Sequence, residues 1–133
     1  MESGRMESEK NVVVLLTSGK SDNGKNATLA FSCALSSLAL GQPTTVFLTS
    51  DGAVWGYHGS ASGITVQGFP PLEELIAQYL ESGGALLLCS VCHRTCSAGG
   101  PDDEPHGRKL PQVNIAGFAT VVELSCNGVC ITF

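Results

Sequence analysis

The sequence predicts an α/β domain built on a mostly parallel sheet covered on both faces. Three observations carry that expectation. Short, continuous apolar runs rich in β-branched residues recur along the chain. Helix-length segments with their own start and stop signals separate them. Such runs fit strands buried on both faces, and alternation of strand with helix fits parallel crossover units. The length, 133 residues, fits one domain with a core of its own.

The first run, Val12-Val13-Val14-Leu15-Leu16-Thr17, reads as a buried central strand. Ser18–Gly24 is a turn-rich loop. Asn26–Leu40 follows as a helix of mainly small apolar residues, stopped by Gly41 and kept from restarting by Pro43. Thr44–Thr49 is the second strand, closed by Ser50-Asp51-Gly52. Val54–Gly68 has no period and reads as a long loop. Pro70-Pro71 opens a helix through Leu80, with Glu73 and Glu74 suited to its first turn and Gly83-Gly84 at its end. Ala85–Leu88 is a third buried strand that runs straight into Cys89. A loop spans Ser97–Gln112, Val113–Ile115 is a short strand, Phe118–Ser125 a short helix and Val129–Phe133 a last strand. Residues 1–10 are polar and acidic and read as a disordered leader; residues 11–133 form the single domain.

Composition excludes several function classes. The formal net charge is −5, and the only basic clusters are Arg94 and Arg108-Lys109, so no nucleic-acid footprint is present. No run approaches the ~20 apolar residues of a membrane helix, so no membrane partner is expected. Without an apolar signal segment the expected location is cytoplasmic, a reducing compartment in which the six cysteines are thiols rather than a disulfide framework. Hydrophobic residues reach 43% while charged residues are only 14%, which leaves little polar surface and favours burial against a second subunit.

The candidate chemistry lies in Cys89-Ser90-Val91-Cys92-His93-Arg94-Thr95-Cys96. In parallel sheets ligands gather at the carboxyl ends of strands, and Cys89 stands at such an end. A helical turn beginning there would lower the thiol pKa through its amides, and His93 and Arg94 would act in the same direction as cations. A thiolate is the nucleophile of sulfur chemistry. Cys92, three residues on, is spaced to resolve or release a persulfide on Cys89, or to protect it as a disulfide. Cys33 and Cys130 read as core cysteines, and Cys96 and Cys126 divide evenly between core and site.

Rival readings weigh less. Haem attachment at Cys-x-x-Cys-His lacks an export signal and an axial methionine, since the only methionines are Met1 and Met6. Zinc would draw on Cys89, Cys92 and Cys96 with His93, His106 or Cys126, but the second paired knuckle is missing. No metal and no organic cofactor is therefore expected. Ser18-Gly19-Lys20-Ser21 lacks the full phosphate-binding loop, and thioredoxin's motif follows the first strand rather than the third. Asp51 reads as a turn residue, His58 as solvent-facing, and Trp55 and Tyr57 as lining a pocket mouth or subunit contact.

Several of these segments resemble the DsrE/DsrF-like (DsrE/TusD-type) sulfur-relay family. They are Val13–Gly19, Thr45–Gly52, Ala85–Cys92, Leu110–Gly117 and Ile131-Thr132-Phe133, a likeness spread over residues 11–133. The resemblance implies a three-layer, flavodoxin-like α/β sandwich around a five-stranded sheet, assembled as trimers or hexamers. It implies a persulfide-carrying cysteine at the position of Cys89 and a second cysteine at that of Cys92. Sulfur donor and acceptor proteins, or small persulfides, would be the partners. The chain departs from relatives at Cys96-Ser97, where Arg-Gly is common, and in the acidic stretch Gly99–Pro105. The expected function is sulfur transfer through Cys89 and Cys92, supported by His93, Arg94 and Cys96. The alternatives are a non-enzymatic metal-binding or assembly subunit and a thiol-dependent redox protein.

Overall fold

A computed structural model describes residues 10–95 and 108–133. Five strands, β1 (Asn11–Leu16), β2 (Thr44–Leu48), β3 (Ala85–Cys89), β4 (Val113–Ala116) and β5 (Gly128–Thr132), form one sheet in the order β4-β3-β2-β1-β5. Every pairing within it is parallel. The helices are α1 (Lys25–Ala39), α2 (Leu72–Glu81), α3 (Ser90–Thr95) and α4 (Phe118–Ser125). The chain steps from β1 to β4 in one direction and returns past β3, β2 and β1 to reach β5. Right-handed crossovers then put α1 and α2 on one face and α4 on the other. Accordingly α1 packs on α2, while α4 packs on β1 and β5. The expected three-layer α/β sandwich is the fold observed.

Local chemistry explains the element boundaries. The Asp22 carboxylate accepts the N–H groups of Gly24 and Asn26 at 3.0 and 2.9 Å, so it satisfies the amide end of α1. Gly41, at φ 86°, closes α1 in the left-handed conformation. Pro71 precedes α2, with Glu73 and Glu74 in its first turn.

Alternation along the strands divides the core. Val14 and Leu16, Val46 and Leu48, and Leu86 and Leu88 line one face and are buried with Phe31, Leu72 and Tyr79. Phe31 and Tyr79 meet edge to face at 5.7 Å. The Tyr79 hydroxyl donates to the Thr44 and Ala85 carbonyls at 3.1 and 2.6 Å, tying β2 to β3, and burial raises its pKa. On the opposite face Phe47 meets Phe118 of α4 at 5.5 Å. That face is thinly covered. No residue of α4 is buried, Phe118 is 54% exposed and Val122 is 60% exposed.

Two sequence expectations change. Val54–Gly68 is not an open loop at its start. A 3-10 segment covers Ser50–Gly56, and Trp55 and Tyr57 are buried. Trp55 Nε1 donates to the Ser18 carbonyl at 2.8 Å, which pins this segment to the loop after β1. Cys130 is exposed rather than core, because β5 is an edge strand. Cys33 is half-buried. Of the expected leader, residues 1–10, residues 1–9 lie outside the described residues.

Candidate functional site

Parallel strands place Cys89, the last residue of β3, beside Thr49, the residue that follows β2, because Leu48 pairs with Leu88 one step earlier. Both side chains then lie on the same face of the sheet. Helix α3 starts at the next residue, Ser90, so the unpaired amides of its first turn surround the end of the strand. A helical turn behind Cys89, on which the sequence reading made the thiol's activation conditional, is present.

The sulfur of Cys89 sits in a nest of donors. Burial pushes its pKa up, since the residue is 1% exposed. The backbone N–H of Cys92, the Thr49 hydroxyl, the Val91 N–H and the Cys92 thiol all act the other way, and together they outweigh burial. The Cys89 pKa is lowered. Cys92 shows the opposite balance. Burial raises it, the Thr49 hydroxyl and Ser50 amide lower it, and the neighbouring Cys89 sulfur raises it again, with a net rise. The pair is thus arranged so that Cys89 ionises before Cys92, with the Cys92 thiol as one of its donors. Both thiols are free.

The turn after β2 completes the site. The Ser50 N–H donates to Cys92 Sγ at 3.1 Å, and Thr49 Oγ1 lies 3.6 Å from the same sulfur. Ser50 adopts a left-handed φ of 56°, a conformation that costs a non-glycine residue about 1–2 kcal/mol. Gly52 holds the turn in place. Its N–H donates to the Thr17 and Thr49 carbonyls, and its α-carbon lies so close to the Leu16 carbonyl that no Cβ fits.

The remaining predicted residues separate. His93 Nδ1 is 2.6 Å from the Tyr57 hydroxyl, and the two rings stack with centroids 5.9 Å apart. Arg94 is exposed. The groups that lower the Cys89 pKa are backbone amides, Thr49 and Cys92, and neither His93 nor Arg94 is among them. Cys96 and His106 lie outside the described residues. Cys126 follows α4 and precedes β5, so it is at the opposite end of the strands from Cys89 and three strands away. The metal set that includes Cys126 is not assembled. Among the described residues no group of three metal-ligating side chains forms. His58 and Asp51 are exposed, as expected.

Beside Tyr57 lies a cavity of about 200 Å³, lined chiefly by Trp55, Tyr57, Ala61, Ile76, Leu80 and Leu110. The aromatic pair therefore lines a pocket, as the sequence reading allowed. Arg108 and Leu110 hydrogen-bond to His58 and Gly56, which fastens the start of the 108–112 segment over it.

Thr49 and Ser50 escaped the sequence reading. A threonine ending a β-branched strand is explained by strand propensity alone. A better signal was available: in adjacent parallel strands, the residue ending β2 must neighbour the one ending β3.

The protein is thus a parallel α/β sandwich with two neighbouring free thiols at the carboxyl end of an inner strand. The chain belongs to the DsrE/DsrF-like family, whose profile matches residues 10–133. Among solved structures, the ychN protein from E. coli is similar in fold, with a TM-score of 0.59 over 94% of this chain and 99% of that one. At 14% identity that likeness concerns the fold alone. No curated protein matches the chain. No helix among the described residues is long and apolar enough to cross a membrane.

Proposed function

We propose that this protein is a cytoplasmic sulfur-transfer protein that accepts sulfane sulfur on Cys89 as a persulfide. The observation that carries the reading is the placement of a thiol at the end of β3, directly before the first amides of α3 and beside Thr49 and Cys92. A thiolate attacks the outer sulfur of a persulfide donor, the donor's S–S bond breaks, and Cys89 Sγ becomes the inner sulfur of the new persulfide. Membership of the DsrE/DsrF-like family supports a role in sulfur relay. Cys89 is 1% exposed in the single chain, which favours a small persulfide over a bulky protein as the first donor. Protein donors and acceptors remain partners that would require the Ser50 turn or α3 to move.

The same reading includes a homo-oligomer, a trimer or hexamer. Phe118 and Val122 on α4 stay exposed, and among the described residues this one short helix is all that covers its face of the sheet. A second copy offers the matching apolar surface. The test of the central reading is uptake of sulfur from a sulfane donor, followed by intact-protein mass spectrometry. The protein gains sulfur and Cys89→Ser does not. Equal uptake by both defeats the reading.

A further inference from the structure

We infer that Cys92 discharges the persulfide on Cys89 as hydrosulfide, so that the protein reduces sulfane sulfur in addition to carrying it. This rests on the persulfide reading above and extends it to the fate of the sulfur.

Geometry carries the step. A persulfide on Cys89 has an inner sulfur, Cys89 Sγ, and an outer one. The Cys92 thiol neighbours the inner one: Thr49, in register beside Cys89, lies 3.6 Å from Cys92 Sγ, and Cys92 sits in the helical turn that starts directly after Cys89. An attack there needs the two neighbouring sulfurs only to close to the disulfide bond length of about 2.0 Å. It forms the Cys89–Cys92 disulfide and expels the outer sulfur. A dedicated donor supports the attacking sulfur. The Ser50 N–H points at Cys92 Sγ at 3.1 Å, and it does so from a left-handed backbone that serine rarely adopts. Gly52, locked between β1 and the turn, maintains that conformation. Strain of this kind persists where surrounding structure enforces it, and here it aims an amide at a sulfur that must pass through an anionic state. A plain carrier has no use for such a donor on its second cysteine.

The atoms balance in three steps. The Cys89 thiolate attacks the outer sulfur of a small organic persulfide, the S–S bond of the donor breaks, and the organic thiol leaves with the proton of that outer sulfur. Cys92 Sγ then bonds to Cys89 Sγ while its proton passes to the outer sulfur, which departs as hydrosulfide. The sulfane sulfur has gained two electrons, and the cysteine pair has lost two. An external dithiol reductant restores both thiols and is itself oxidised to a disulfide.

The test is a single turnover without external dithiol. Pre-reduced protein meets one equivalent of a low-molecular-weight alkyl persulfide. Hydrosulfide is trapped with a bimane reagent, and the cysteine state is read by peptide mass. The expected result is stoichiometric hydrosulfide together with a Cys89–Cys92 disulfide. Cys92→Ser should retain the sulfur on Cys89 and lose hydrosulfide release to the buffer background. Cys92→Ala gives the same comparison if serine disturbs the packing, and the disulfide in the unaltered protein needs no variant. Sulfur retained on Cys89 of the unaltered protein, sulfur found on Cys92, or equal hydrosulfide from Cys92→Ser each overturns the inference while leaving the carrier reading intact. Absence of sulfur from Cys89 in both Cys92 variants, with no hydrosulfide from the unaltered protein, overturns both.

Discussion

Replacing Thr49 by valine removes a buried hydroxyl from between two sulfurs while keeping the branched shape that the strand end packs. Thr49 lowers the Cys89 pKa together with the amides of Val91 and Cys92. A hydrogen bond to a charged group contributes about 1.5–3 kcal/mol, which corresponds to a roughly 10- to 100-fold change in thiolate population. The hydroxyl also faces Cys92 Sγ at 3.6 Å, and one hydrogen serves one sulfur at a time, so the lower end applies. A more basic thiolate is a better nucleophile, with a Brønsted slope of about 0.4–0.5, and this recovers close to half of the loss on a logarithmic scale. Thr49→Val should therefore slow Cys89 alkylation by about 3-fold at neutral pH. The inflection of its rate–pH profile should move upward. The assay is iodoacetamide labelling followed by mass spectrometry of the Cys89 peptide, in a Cys92→Ser background so that one thiol of the pair is read. A profile that superimposes on that of the Thr49 protein would refute the role assigned to the hydroxyl.

Four further outcomes follow from the same geometry. His93→Ala and Arg94→Ala should leave Cys89 alkylation within about 2-fold of the parent, because amides and Thr49 rather than cations hold the thiolate; a large drop measured by the same labelling would restore the cationic reading. Cys89 alkylation should persist below the pH at which an ordinary thiol falls silent. A lowered acid pKa favours the folded state above the unfolded thiol's pKa, and the advantage is lost as pH falls through the folded value, so urea titrations with and without Cys89→Ser should converge as pH is lowered. Gly52→Ala drives a methyl group into the Leu16 carbonyl and should cost about 2 kcal/mol or more in chemical denaturation. Val122→Asp places a charge on the exposed α4 surface and should reduce the oligomer to smaller species in light scattering, whereas an unchanged mass would remove α4 from the interface.

Much of the fold was legible because buried parallel strands are written as continuous apolar runs. Val12–Leu16 and Leu86–Leu88 have no polar face to confuse the pattern. Cys89 was legible for the same reason, as the residue on which such a run ends. The order of the strands was not written locally. Val129-Cys130-Ile131 has the composition of a buried strand, yet β5 pairs only with β1 and leaves Cys130 exposed. The site was half legible. A pair of cysteines three residues apart is visible in one window, but Thr49 and Ser50 lie about forty residues earlier and meet Cys92 only through the β2–β3 pairing. The left-handed turn at Ser50 carries no sequence signal, since glycine and asparagine are the residues that announce one. His93 and Arg94 drew attention as cations beside a thiol, but helix geometry supplied the amides first. Tyr57, read as a pocket residue, also proved to be the partner of His93.

The central claim is that Cys89, and no other described cysteine, takes up sulfur. Peptide mapping of the Cys92→Ser protein after exposure to one equivalent of a small persulfide tests it most directly. The account predicts added sulfur on the Cys89 peptide, with Cys33, Cys126 and Cys130 unmodified. Sulfur spread evenly over those cysteines, or absent from Cys89, would contradict it.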